Sequence, residues 1–428
     1  MKFIIKNANI VNFDSITKAD ILIENTKIKR IAQKIEGKEK TINADGKFIF
    51  PGIIDLHAHL RIPGDGQAED LLSGSKAAAK GGITTLFCMP NTTPSVDNEG
   101  LVKWIIEESE KINIAKIIPI AAITKDREGK TLTEYNALKN AGCLAVSDDG
   151  CSVADSLIFR RALEYAKMTG LLVISHCEDP SLSAGGAMRE GFISSKYGIS
   201  AIASISESII VYRDVAIAQY LDVPIHIAHI STKNSLEIIR KAKKEGASVT
   251  AETCPHYFSF TTEDIEKHKF DSNFKVNPPL GDMEDIKEIK KALKDGTIDC
   301  IATDHAPHSY ASKEQPFETA PFGFIGFETL FSSSYTALVK GNILTLEQLS
   351  EKLSYNPAKI TGLKGYGEIK EGNFADLIIV DLEKKWSPSQ ENIVSKSKNT
   401  PFLGKELQGV VEYTINNGNI VFENEDIR

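Results

Sequence analysis

The chain has 428 residues, 42% hydrophobic and 25% charged, with a formal net charge of −8. These values fit a water-soluble globular protein and exclude a disordered or collagen-like one. The acidic balance, with no basic run longer than Lys241–Lys244, speaks against nucleic acid as a partner but leaves small anionic substrates open. No apolar run approaches the roughly 18–20 residues of a membrane span. The start "MKFIIKNANIVNF" carries no cleavage-site pattern, so no signal peptide is read. Cys88, Cys143, Cys151, Cys177, Cys254 and Cys300 form no C-x-x-C pair. They read as buried thiols of a cytoplasmic enzyme.

In chain order, Lys2–Phe13, Asp20–Ile35 and Thr41–Ile49 read as short strands between turns. From Phe50 one theme repeats. Apolar strand candidates are "IFPGIIDLHAHL", "GITTLFCMPN", "KIIPIAAIT", "AGCLAVSDDG", "LLVISHCED", "VPIHIAHIS", "ASVTAETCPHYF" and "TIDCIATDHAPH". Helical patterns lie between them, among them "GLVKWIIEESEKI", "LIFRRALEYAKMTG", "NSLEIIRKAKKEG" and "DIKEIKKALKDG", with Gly142, Gly170, Gly246 and Gly296 as stops. Alternating β and α with continuous apolar strands implies a parallel sheet covered by helices. Eight such units suit a closed (β/α)₈ barrel of the TIM type. An open doubly wound sheet fits less well, because no Gly-rich phosphate loop follows the first strand. Asp376–Asp381, Gly409–Ile415 and Gly418–Glu423 read as further strands, with a hairpin turn at Asn416–Gly418. Both ends are therefore expected to pair into one small β domain. The expected boundaries are 1–49 and 365–428 for that domain and 50–364 for the barrel.

In such a barrel the C-terminal strand ends converge on one mouth. The strand ends here carry His57, His59 and Arg61, then Pro90-Asn91, Asp148-Asp149, His176, His229, and Asp304-His305-Ala306-Pro307-His308. His57 and His59 are two apart, so in a strand both face one side. Each signal alone has a bland reading: a packed histidine, a helix cap or a polar loop. Four histidines and two aspartates at one end of five strands are better read together as a metal site. Imidazole with carboxylate suits Zn²⁺ or a related divalent ion, and six ligands exceed one tetrahedral site. Two ions about 3.5–4 Å apart would use them all. His268 is expected to be solvated, and His226 to pack between sheet and helix. His256 is expected to lie behind the ligands, while Glu252 and Glu178 have no assigned role.

The motifs "PGIIDLHAHLR", "GGITTLFCMPNT", "SDDG", "SHCED", "HIAHISTK", "TAETCPHY", "NPPL", "IATDHAPH", "APFGFIGFET" and "KNTPF" resemble the bacterial-type dihydroorotases of the amidohydrolase superfamily. The resemblance implies a metal-bearing barrel with a small β-sandwich built from both termini. It implies that His57, His59 and Asp304 hold one metal, His176 and His229 the second, and that Asp149 bridges them where many relatives have a carboxylated lysine. It assigns the substrate to Arg61, Asn91, Asn277, His308 and the backbone at Phe322 and Gly323, with Asp304 moving the proton. The implied reaction is the reversible closure of N-carbamoyl-L-aspartate to dihydroorotate. The loop His308–Phe324 is expected to fold over the substrate. Ile62 and Gly281 depart from the pattern, where relatives often have Glu and Arg. A homodimer is the expected assembly, with aspartate transcarbamoylase a further candidate partner. Two alternatives are a hydantoinase, dihydropyrimidinase or allantoinase, and a metal-poor assembly subunit. Asp149 and Arg61 favour dihydroorotase over the first, and the complete ligand set argues against the second.

Overall fold

The computed structural model describes residues 2–424. Met1 and residues 425–428, which the expected end segments include, lie outside the described residues. All eight expected barrel strands form, shorter than their apolar runs: Ile53–Ala58, Ile83–Cys88, Lys116–Pro119, Ala145–Val146, Leu172–Ser175, Ile225–Ile227, Val249–Thr253 and Cys300–Ile301. The first three make one parallel sheet and the other five a second. Parallel bridges Ala121–Val146 and Ala58–His305 close the two into a ring. Alternate strand residues separate into two cores, as a twofold side-chain period requires. Ile54, Leu56, Phe87, Met89, Ile118, Ile120 and Ile174 fill the lumen. Leu86, Ile117, Val173 and Ile225 pack outward with helical residues such as Leu163 and Ile239.

The surrounding helices begin and end as their sequences dictate. Asn98 and Asp155 cap Glu99–Ile112 and Ser156–Thr169 by accepting backbone N–H groups, and Gly170 and Gly296 end helices in the left-handed conformation. Helix Ile205–Leu221 is different. It buries Ile210, Val211 and Val215 but also presents Ile205, Ile209, Tyr212 and Tyr220 to the outside.

The two chain ends build one eight-stranded sheet. Its path runs Asn419–Glu423, Leu407–Asn416, Leu377–Trp386, Phe48–Pro51, Lys2–Val11, Ile16–Glu24, Lys27–Ala32, with Lys40–Asn43 added beside Lys2–Val11. Three sequence readings change here. Thr41–Ile49 is not one strand, because Lys40–Asn43 ends before a turn in which Lys47 N–H donates to the Ala44 carbonyl, and Phe48 starts the next strand. Asp20–Ile35 is a hairpin, turned at Asn25 (φ 58°). The apolar run from Phe50 is two strands: Phe48–Pro51 pairs with Leu377–Val380 in the terminal sheet, and the barrel strand starts after Gly52. A Cβ at Gly52 would lie 2.2 Å from Thr84 Oγ1, so only glycine lets the chain pass from one sheet into the other there.

One strand thereby serves two cores. Leu377 and Ile379 point into the terminal-sheet cluster with Phe3, Ile5, Ile21 and Ile415. Ile378 and Val380 point into the barrel's outer core. Ile378→Ala should lower the unfolding free energy by about 2–5 kcal/mol in a urea titration, the usual cost of emptying a buried aliphatic site.

Candidate active site

The six expected ligands meet at the barrel mouth, each at most 5% exposed. Asp149 Oδ1 lies 3.2 Å from His57 Nε2, 3.4 Å from His176 Nδ1 and 3.6 Å from His229 Nε2. Asp304 Oδ1 lies 3.1 Å from His59 Nε2 and 3.7 Å from His57 Nε2. The His176 and His229 ring nitrogens are 2.8 Å apart. Among the described residues, two groups at the mouth could each hold a cation: His57, His59 and Asp304, and His57, Asp149 and His229. Of the "SDDG" pair only Asp149 reaches the cluster, since Asp148 accepts from the Thr124 backbone and hydroxyl.

The donor set fits a metal. His57 Nε2 and Asp149 Oδ1 are close and buried, yet neither has a hydrogen-bond partner. His59 Nδ1 donates to Asn91 Oδ1 at 2.8 Å, and His176 Nε2 faces Glu178 Oε2 at 3.1 Å. Fixing the outer nitrogen of an imidazole leaves the lone pair of the inner one free to coordinate. The proton affinities tell the same story. Burial works against ionisation of Asp149, but His57, His176 and His229 hold its carboxyl well below the usual range. Burial likewise opposes charge on His57 and His176, yet Asp149 pulls both upward, His176 to about 10. The cluster favours positive charge at its centre, and divalent ions would supply it.

Chain geometry at the strand ends is unusual. Arg61, His229 and Asp304 have φ of 59°, 32° and 47°, in a region that costs a residue with a Cβ about 1–3 kcal/mol. The turn at His229 aims its ring into the mouth although His226, three residues back, also faces the lumen. That corrects the reading of His226, which does not pack between sheet and helix. It is fully buried and its Nε2 lies 3.2 Å from Glu252 Oε2.

Above the cluster a pocket of about 230 Å³ is lined by every expected site residue except His57, which lies beneath. Arg61 is half-buried, and desolvation lowers its pKa. Its Nε donates to the Pro307 carbonyl at 3.1 Å. His308 Nε2 is 2.7 Å from the Phe322 carbonyl and must therefore carry its proton. Arg61 Nη2, 3.3 Å from that same nitrogen, gains no acceptor there and is available to a ligand. Burial and the Arg61 charge push His308 down to about 3, so it is neutral at pH 7.

The other expected substrate contacts have internal partners. Asn277 Nδ2 donates to Glu178 at 2.9 Å, and Gly323 N–H donates to the Lys275 carbonyl at 2.9 Å. The loop behind them is tied down. Lys313 is buried inside it and donates to the Pro321 and Gly323 carbonyls, both at 3.0 Å, and Asn399 Nδ2 also donates to Gly323. The two departures lie outside the pocket-lining residues. Ile62 packs against the barrel's outer core. A side chain at buried Gly281 would meet Asp285 at 2.4 Å.

Other expectations resolve simply. His256 is buried edge-on to Phe324, with no hydrogen-bond partner at Nε2, and burial pushes it down to about 3. His268 is half-buried against the Phe274 ring rather than solvated. All six cysteines are free thiols, and Cys151 is exposed rather than buried. Glu178 and Glu252 join the site without having been assigned to it. For Glu178 the signal was its His-x-Glu spacing from His176, which puts both on one side. Among the described residues no helix is long and apolar enough to cross a membrane.

Comparison with known proteins places this geometry. Residues 46–235 match a family described as dihydro-orotase-like. A dihydroorotase of Endomicrobium trichonymphae is 47% identical over 94% of this chain and 95% of its own length. One from Caldicellulosiruptor saccharolyticus is 46% identical over 98% of both chains. The chain belongs to the dihydroorotase family. Its solved structural neighbours include the L-hydantoinase (dihydropyrimidinase) of Arthrobacter aurescens, at 26% identity and a TM-score of 0.86 over 98% of this chain and 96% of that one. A dihydropyrimidinase of Brevibacillus agri has a TM-score of 0.85 at 23% identity, over 99% of this chain and 96% of that one. That level of identity speaks for a shared fold alone. This dihydroorotase-family chain is thus a cyclic-amide hydrolase built as a TIM-type barrel carrying a β-sandwich.

Proposed function

We propose that this chain interconverts N-carbamoyl-L-aspartate and (S)-dihydroorotate plus water, a step of pyrimidine synthesis, in the cytoplasm. Full-length relatives named dihydroorotase at 42–47% identity carry this reading. We further propose that His57, His59 and Asp304 hold one divalent ion, His176 and His229 a second, and Asp149 bridges them. Zn²⁺ is the favoured metal because the donors are imidazole and carboxylate. When bound, such ions polarise a carbonyl and lower the pKa of a water. Asp304 would take the attacking water's proton during ring opening and return it to the departing amide nitrogen, acting as base and then acid. Arg61 would grip the substrate carboxylate through its planar fork. Asn91, Asn277, neutral His308 and the Phe322–Gly323 backbone would line the remainder of the ring. Asn277 and Gly323 would have to exchange present partners for the substrate.

A homodimer is also proposed. Ile205, Ile209, Tyr212, Ala216 and Tyr220 make a stripe at helical spacing on the outer face of Ile205–Leu221. Arg160, on helix Ser156–Thr169, lies over the Tyr220 ring, and the same helix exposes Leu157, Tyr165 and Met168. Side chains of this size would together offer roughly 600–800 Å², close to what one partner gives a standard interface. Tyr212→Glu should yield monomers by light scattering; an unchanged mass would move the interface elsewhere.

Metal-replete protein should contain two ions per chain by elemental analysis, and Asp149→Ala should lose at least one together with activity. One ion in the parent and an unaffected variant would refute the bridge. Asp304→Asn keeps size but cannot accept a proton, so kcat should fall by at least about 10²–10⁴-fold. Metal content must be followed beside the rate, and near-normal kcat with both ions retained would assign the proton transfer to another group. The decisive assay sets dihydroorotate beside dihydrouracil, which lacks the carboxylate. Wild type should barely process dihydrouracil. Arg61→Met should lower kcat/KM for dihydroorotate roughly 30- to several-thousand-fold, the cost of stranding a desolvated charge, with both metals retained. Equal turnover of the two substrates, or a neutral Arg61→Met, would favour a dihydropyrimidinase.

A further inference from the structure

Beneath the mouth lies a polar chain that the proposed chemistry does not use. His57 Nδ1 is 2.9 Å from Glu252 Oε1. The other carboxylate oxygen, Oε2, is 3.2 Å from His226 Nε2. His226 Nδ1 is in turn 2.8 Å from Thr250 Oγ1, whose hydroxyl lies 3.4 Å from the Ile225 carbonyl. His57, Glu252 and His226 are all 0% exposed. They sit beside the apolar lumen cluster, with Cys300 Sγ of that cluster within 4.8 Å of a ligand atom of His226 and of Glu252.

A carboxylate in such a place is costly unless each oxygen is hydrogen-bonded. Here each oxygen has one imidazole within hydrogen-bond distance. Its two oxygens are therefore already engaged, which argues against Glu252, His226 and Cys300 holding an ion of their own. A carboxylate oxygen at 2.9 Å accepts from His57 Nδ1–H, which turns the Nε2 lone pair toward Asp149 and Asp304. His57 is the one residue common to both cation-capable groups at the mouth. The orientation of a single ring thus bears on both.

We propose that Glu252 is a positioning residue, buttressed by His226, that fixes the tautomer and direction of His57 and so sets the affinity of the mouth for divalent metal. The inference rests on the reading of His57 as a metal ligand. It deepens that reading by locating the source of the ligand's basicity two residues deeper in the barrel. Glu252 does not line the pocket at the mouth. Partners of this kind change metal affinity by about 10- to 100-fold when removed.

The test is calorimetric titration of Zn²⁺ into the full-length chain after chelator stripping, with no substrate present. Glu252→Gln keeps the shape and an acceptor for His57 Nδ1–H but removes the charge. It should weaken Zn²⁺ binding by about 10- to 100-fold, leave the melting temperature of the metal-free chain near that of wild type, and regain activity when excess Zn²⁺ is added. His226→Gln keeps an N–H donor toward Glu252 and should weaken binding in the same direction by at least about 3-fold. It carries the test alone if Glu252→Gln does not fold. Zn²⁺ affinity within about twofold of wild type in a folded variant would overturn the proposal and leave the dyad a packing feature. A wild-type chain that binds Zn²⁺ and shows the predicted losses without turning over dihydroorotate would count for this proposal and against the substrate assignment.

Discussion

One buried carboxylate oxygen faces three imidazoles at 3.2–3.6 Å with no hydrogen bond to any of them. That arrangement at Asp149 is stable only with compensating positive charge, because a desolvated carboxylate cannot be left alone. Protons on the histidines can supply the charge, and divalent ions supply it without consuming the lone pairs. Much of the surrounding structure can be understood as holding these groups at that separation. Asn91, Glu178 and Glu252 each occupy the far nitrogen of a different ring, so rotation of His59, His176 or His57 would break a hydrogen bond.

The barrel supplies the convergence and accepts local strain in return. The strand period already puts His57 and His59 on one face, but the mouth also needs His229 and Asp304 turned in beside them. Left-handed backbone at His229 and Asp304 meets that need. Asp55 steadies the region from below by accepting from the Thr303 backbone and hydroxyl, linking first and last strands just under Asp304. Burial raises its own pKa to about 7.

The sequence was most readable where chemistry departs from pattern. Apolar runs that end in His or Asp mark both the strands and the ends that meet at the mouth, so all eight strands and the six converging His and Asp side chains are legible in the sequence. Residues inside a run were harder. Glu252 and His226 are single polar positions in strands whose partners lie far away in the chain, and periodicity cannot say which buried polar group meets which. The break at Gly52 was hidden for a related reason. The run stays apolar on both sides because each half enters a different core. Helix Ile205–Leu221 was missed as well. It is apolar around much of its surface, so the one-sided stripe that marks an ordinary barrel helix is absent.

The terminal sheet has a consequence for the order in which the chain is made. Phe48–Pro51 takes its antiparallel neighbour from Leu377–Val380, which leaves the ribosome more than three hundred residues later. At bacterial to eukaryotic elongation rates of about 5–20 residues per second, the wait is roughly 15–65 s. During that interval the N-terminal strands carry Ile49 and Phe50, bound for different cores, without the strand that will pair beside them. Exposed apolar edges of this kind invite intermolecular pairing. Lys2, Lys6, Lys18 and Lys47, set among these strands, place positive charge along the nascent segment and so discourage it from associating with its own copies on neighbouring ribosomes.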